Sequence, residues 1–189
     1  MPARLSRDTG IPAGTVTGYL DLWQSVGLLT IVPPWTPNLT KREAGRSKAF
    51  LPDSGLALRA TRMTAAQLLT TENLEAFGSF LEAFVAAELL RQRTWSAVDF
   101  ELFHYRDRDG MEVDLIIEVA GSGILAVEVK ASTSFRGDQF NSLRKLRDRL
   151  GNRFLAGFVL NTGKTGYRYA DRLYGLPICA LWEFSLGQA

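Results

Sequence analysis

The sequence predicts an α/β fold with a helix–strand–strand–strand–helix–strand core, and three observations carry that expectation. Residues 73–93, NLEAFGSFLEAFVAAELLRQR, place Leu74, Phe77, Leu81, Phe84, Val85 and Leu89 on the helical period. Three strand-like runs follow, Val98–Tyr105, Glu112–Val119 and Ile124–Lys130, separated by turn chemistry at Asp109-Gly110 and Gly121-Ser122-Gly123. A second helix over 137–150, with Phe140, Leu143 and Leu146 inward, leads into Phe154–Leu160. The unbroken apolar character of that run predicts a central or parallel strand.

Composition narrows the function classes. The chain has 189 residues, ample for a buried core. Its single cysteine, Cys179, excludes an internal disulfide and a cysteine zinc site, and His104, the single histidine, argues against a histidine triad. There is no run of about twenty apolar residues for a membrane span, and MPARLSRDTG lacks the apolar core of a signal peptide. The expected location is therefore cytoplasmic, with no membrane partner. The net charge of +2 is unevenly placed: residues 72–128 hold four basic against twelve acidic side chains, and residues 131–175 hold nine against three. An acidic centre beside a basic flank suits a metal site facing a phosphate backbone, and equally an ordinary solvated helix face.

Before that core lies a smaller unit. Leu5–Thr9 makes a first helical turn, Gly10 breaks it and Pro12 opens a second helix. Val16, Tyr19, Leu20, Trp23 and Val26 fall on one face of the second helix, Gly27 ends it, and Leu28–Val32 runs as a strand into Pro33-Pro34. This stretch resembles the last two helices of a helix-turn-helix in a winged-helix unit, incomplete because the usual first helix is absent. The expected division is a partial winged-helix region over 1–60 and a second domain over 61–189. Ala13, Gly14, Thr15, Thr17 and Gly18 offer no bidentate base contact, so packing or docking suits the helix better than base readout. Lys41, Arg42, Arg46 and Lys48, in and beside a polar loop over 36–47, remain available to phosphates. A short strand at Ala49–Leu51, a turn or cap at Asp53 and a segment Leu56–Ala60 complete the unit, and a helix at 64–70 follows in the second domain.

The chemistry concentrates in MEVDLIIEVAGSGILAVEVK, residues 111–130. Met111, Val113, Leu115 and Ile117 alternate with Glu112, Asp114, Ile116 and Glu118, and Leu125, Val127 and Val129 alternate with Ala126, Glu128 and Lys130. Glu128 and Lys130 therefore share a face, and hairpin pairing lets Asp114 join them. Two carboxylates suit a hard divalent cation such as magnesium, and an ammonium can orient a water or neutralise a phosphate. Glu82, on the 73–93 helix, is spaced to reach the same face. Charge on the wet face of a half-buried strand is the plainer reading of the same residues. Arg144, Lys145 and Arg149 lie largely outward on the 137–150 helix and could meet nucleic acid, and Gln139 could contact substrate. Asn161-Thr162-Gly163-Lys164-Thr165 is not a nucleotide loop, because Gly157 precedes Gly163 by six residues rather than five. A last strand is expected over Pro177–Leu181.

The order of elements, with Glu82 on the first helix, Asp114 on the second strand and Glu128-Val129-Lys130 on the third, resembles the PD-(D/E)XK nuclease-like fold over residues 73–161, although Val113 stands where that pattern has proline. The segments GTVTGYLDLWQSVGLL, KAFLPDSGLA, LEAFVAAELLRQRTWS, YRDRDGMEVDLIIE, AVEVKAS and LPICALWEF extend a resemblance along nearly the whole chain. It is to the uncharacterised C-terminal domain of bacterial P-loop (AAA-like) ATPases. The resemblance implies a C-terminal part without its ATPase module. It implies that Asp114 and Glu128 bind magnesium or manganese, that Lys130 positions the attacking water, and that Glu82 completes the set. The expected function is a metal-dependent nuclease-like domain acting on or binding DNA. The alternative is a non-catalytic docking module of an ATPase built on a relic nuclease fold.

Overall fold

A computed structural model describes residues 2–36 and 47–182. The loop expected over 36–47, with Lys41, Arg42 and Arg46, lies outside the described residues apart from its two ends. The molecule has a mixed α/β fold around a mixed sheet. Helices α1 (Pro2–Thr9) and α2 (Ala13–Ser25) precede a two-stranded antiparallel ribbon of β1 (Thr30–Val32) and β2 (Lys48–Phe50). Short helices α3 (Ser54–Ala60) and α4 (Ala65–Leu68) lead to the long α5 (Leu74–Arg93). Next come β3 (Phe100–Arg106), β4 (Glu112–Val119), β5 (Gly123–Lys130), α6 (Asn141–Leu150), β6 (Phe154–Asn161), β7 (Tyr167–Ala170) and β8 (Leu173–Pro177).

Local chemistry sets several of these boundaries. Asp53 caps α3 by accepting the Leu56 amide at 2.7 Å, and Thr64 with Gln67 forms a capping box on α4. The Asp109-Gly110 turn closes through Asp107 Oδ1, which accepts the amides of Asp109 and Met111, while Gly110 takes φ +85°. Gly137–Phe140 is a 3₁₀ turn rather than the start of α6, so the helix expected from 137 begins at Asn141.

The large sheet has the order β3-β4-β5-β6-β8-β7. β3, β4 and β5 form an antiparallel meander. The α6 crossover then lays β6 parallel to β5, and β8 runs parallel to β6. β6 is thus both central and parallel, which explains its continuous apolar run. The end of the chain differs from expectation: β7 and β8 form a final antiparallel pair, and Ile178–Leu181, expected as a strand, is a 3₁₀ turn.

Two cores sandwich the sheet. On one side Phe140, Leu143 and Leu146, all fully buried, pack on Ile116, Ile124, Ala126, Phe154 and Val159. On the other, Val85, Ala86 and Leu89 of α5 pack on Leu115, Ile117, Val127, Val129 and Leu160. The N-terminal unit belongs to both: Trp35 sits in the first core and Val32 in the second. Its chain is held to β3 by the Trp35 amide on the His104 carbonyl, 2.6 Å, and the His104 amide on the Pro33 carbonyl, 3.0 Å. On α2 the expected apolar face is only half used. Val16 and Leu20 are buried with Leu29, whereas Tyr19, Trp23 and Val26 are exposed, because Leu5, Ile31 and Ala49 cover only the inner side of the stripe. Among the described residues, no helix is long and apolar enough to cross a membrane.

Candidate functional site

The site forms where the β4–β5 hairpin stops pairing. The ladder runs from Val119 opposite Gly123 to Leu115 opposite Val127. Continuing that register sets Asp114 across from Glu128. There the Asp114 side chain takes over from the ladder: its Oδ2 accepts the Val129 amide at 2.9 Å. The β3–β4 register shifts between Phe103 and Tyr105, opposite this same point. The strict alternation expected through β4 therefore breaks. Val113 faces the α6-side core, and Leu115 and Ile117 face the α5-side core. Such an irregularity re-aims a side chain at the rim of a sheet, here Asp114.

Asp114, Glu128 and Lys130 open together into a polar groove of about 630 Å³. Lys145 and Arg149, exposed on α6, form part of its wall with Asn141 and Ser142. Arg149 is held by the Tyr105 hydroxyl and, at 3.2 Å, by Asp107 Oδ2. Arg144 stands outside the groove and bonds to Asn141. Gln139, expected near substrate, is spent locally, accepting the Arg136 amide at 3.0 Å and donating to Ser132.

Glu82 does not face this groove. It lines a neighbouring one of about 390 Å³ with Lys48 and Glu112. Lys48, expected to meet phosphate, is turned inward instead. Its Nζ lies 2.6 Å from Glu82 Oε1, 3.0 Å from Glu112 Oε1 and 3.8 Å from Asp114 Oδ1. Glu112 lines both grooves. Sequence reasoning gave neither Glu112 nor Lys48 a place in the site. Glu112 had a signal in its alternation with Asp114, but Lys48 lies 34 positions from Glu82 and had none.

Electrostatics follow from four carboxylates around two ammonium groups. Burial, then the charge of Asp114, pushes the Glu128 carboxyl up to about 8, against the opposing pull of Lys130 2.6 Å away. Glu82 is raised too, by burial first and Asp114 second, with Lys48 opposing. Burial also acts to raise Glu112, but its bond to Lys48 wins and holds it below the usual carboxylate range. For Lys48 and Lys130 burial works against the charge, and the surrounding carboxylates outweigh it, so both stay protonated.

Whether these residues fit a divalent ion has a divided answer. The donor chemistry suits one, since hard cations take carboxylate oxygens. The arrangement does not. Among the described residues no three His, Cys, Asp or Glu side chains are grouped to hold a metal ion. Glu82 is bonded to Lys48, Glu128 to Lys130, and Asp114 to a backbone amide.

Comparison with known proteins places the chain without assigning it an activity. Residues 2–67 match a model described as Domain of unknown function (DUF8612). Uncharacterised proteins of Mycobacterium tuberculosis (strain H37Rv) and Mycobacterium bovis are each 27% identical over 119 residues, covering 63% of this chain and 26% of the relative. The chain thus spans about a quarter of the length of these curated relatives. No solved structure matches. A second family model covers residues 77–181, more than half of the chain, from within α5 to the last 3₁₀ turn, and on that match the chain belongs to the family described as Domain of unknown function (DUF4143).

Proposed function

We propose that this chain is a nuclease-like domain that acts on or binds DNA phosphodiesters, with the groove between the β4–β5 rim and α6 as its site. The observation that carries the reading is the pairing of Asp114, Glu128 and Lys130 with Lys145 and Arg149 across one polar groove. Such a groove offers acid–base groups beside cations, which attract a phosphate backbone. Lys145 and Arg149 hold the strand, and Lys130 keeps its ammonium toward the reacting phosphate. Magnesium or manganese belongs to the proposal as cofactor. Asp114 and Glu128 are the oxygen donors facing the groove, and each would have to exchange a present partner for the ion.

The test is binding of a fluorescent DNA duplex by anisotropy over a range of salt. Replacing Lys145 and Arg149 together with alanine should weaken binding at least about tenfold and lower the salt slope by about two, one per lost phosphate contact. Identical binding by the folded double variant contradicts the placement.

A second reading is favoured by one specific observation. Tyr19, Leu22 and Trp23 of α2 and Val26 at its C-cap are each 45–58% exposed, forming an apolar stripe along one side of the helix. In that reading the domain is a docking module for a P-loop ATPase, and the absence of any DNA binding by the wild type would favour it.

A further inference from the structure

An aromatic cluster stands beside the groove, on the same face and at the same end of the sheet. Glu128 pairs with Val159, whose side chain lies in the α6-side core together with Phe140, so groove and rings share one face. Lys130 pairs with Asn161 and Asn161 with Pro177, while Gly175, two residues back on β8, pairs with Tyr167. Phe135 lies in the loop that leaves β5 after Lys130, and Tyr167 opens β7, the outermost strand. Their ring centroids are 5.2 Å apart, and Phe140 and Tyr169 back them, stacked at 4.0 Å. Both outer rings rest on the strand below, since a Cβ at Gly175 would lie 2.9 Å from atoms of each. Tyr167 nevertheless stays 42% exposed. It is thus fixed in place with part of its surface open for another ring to stack on.

We propose that Tyr167, seated against Phe135, is a base-stacking platform for a single-stranded end of DNA whose phosphates run past Lys164 to the groove at Lys130. The inference rests on the reading of that groove as a DNA site, and it adds the form of the substrate, a duplex with a single-stranded tail. Inside an intact duplex the faces of the bases are covered by their neighbours, whereas in a single strand they are free to stack on an aromatic side chain, whatever the base. Charge along the path agrees: residues 131–175 hold nine basic against three acidic side chains. Lys164 is exposed and has no ion pair among the described residues. Its loop is tied to the one carrying Phe135, because Thr162 donates its amide and its hydroxyl to the Ser132 carbonyl, 3.0 Å each. The span fits as well. Lys130 and Tyr167 stand three strands apart, about 14 Å, which roughly four stacked nucleotides at about 3.4 Å each would cover.

The test is fluorescence anisotropy of the full chain with a blunt duplex and with the same duplex carrying a tail of two nucleotides, ten nucleotides or ten abasic units, on the 5′ or the 3′ end. Wild type should bind the ten-nucleotide tail of one polarity at least about tenfold more tightly than the blunt duplex. The two-nucleotide tail is too short to reach Tyr167, and the abasic tail has phosphates without bases, so each should gain at most about twofold. Tyr167→Leu should bring the ten-nucleotide tail down to the level of the blunt duplex, and Tyr167→Phe should keep the preference. Equal binding of tailed and blunt duplex by wild type, or a preference that survives in Tyr167→Leu, overturns the inference while leaving the duplex reading standing. An abasic or two-nucleotide tail that gains as much as the full tail overturns it too, and needs no variant to fold. A wild type that binds none of these DNAs overturns both.

Discussion

Glu128 gives the groove its pH dependence. Its carboxyl is raised from an ordinary 4.5 to about 8 by burial and by Asp114. A carboxyl whose folded value exceeds its unfolded one supports the fold fully while protonated in both states. That support fades as pH rises from about 4.5 through about 8, where the folded chain must carry a buried charge. Glu128→Gln cannot ionise, so its stability in urea should stay flatter across this range, with an advantage over wild type on the order of a few kcal/mol at the alkaline end. Parallel curves for the two proteins would contradict the assigned cause. The residue pattern alone could reach Asp114, Glu128 and Lys130, because period-two spacing and a hairpin bring them together. It could not reach the role of Lys48. That lysine follows a basic, polar stretch, and only tertiary pairing reveals that three carboxylates surround it.

At the scale of elements, the chain was legible wherever one period ran long enough. The α5 stripe, the β3–β4–β5 meander and the apolar β6 follow from such runs. β7 and β8 did not, since Tyr167–Ala170 is short and Leu173–Pro177 contains Gly175 and ends in proline. The alternation in β4 misleads at Val113 because the β3–β4 register shifts there, something only the partner strand determines. Gly157 shows what the central strand requires. A Cβ at this position would lie 2.8 Å from Phe154 Cζ and 2.9 Å from Leu173 Cδ2, both fully buried. Gly157→Ala should therefore overpack this core and cost about 1–3 kcal/mol in urea denaturation. A change below about 0.5 kcal/mol would mean that the α6-side core is looser than described.

At the scale of the molecule, the N-terminal unit and the sheet domain share their cores and their site. Trp35 and Val32 are buried against the sheet, and Lys48 completes the carboxylate cluster. The outer side of α2 is left apolar and exposed, while the basic wall of α6 faces the acidic rim of β4 and β5. One surface is thus apolar and the other charged. The most direct measurement is nicking and binding of supercoiled plasmid with magnesium or manganese, wild type against Lys130→Met. Salt-dependent binding by both proteins and metal-dependent nicking by the wild type alone are expected. A folded wild type that neither binds nor nicks DNA under any of these conditions would contradict the proposed function.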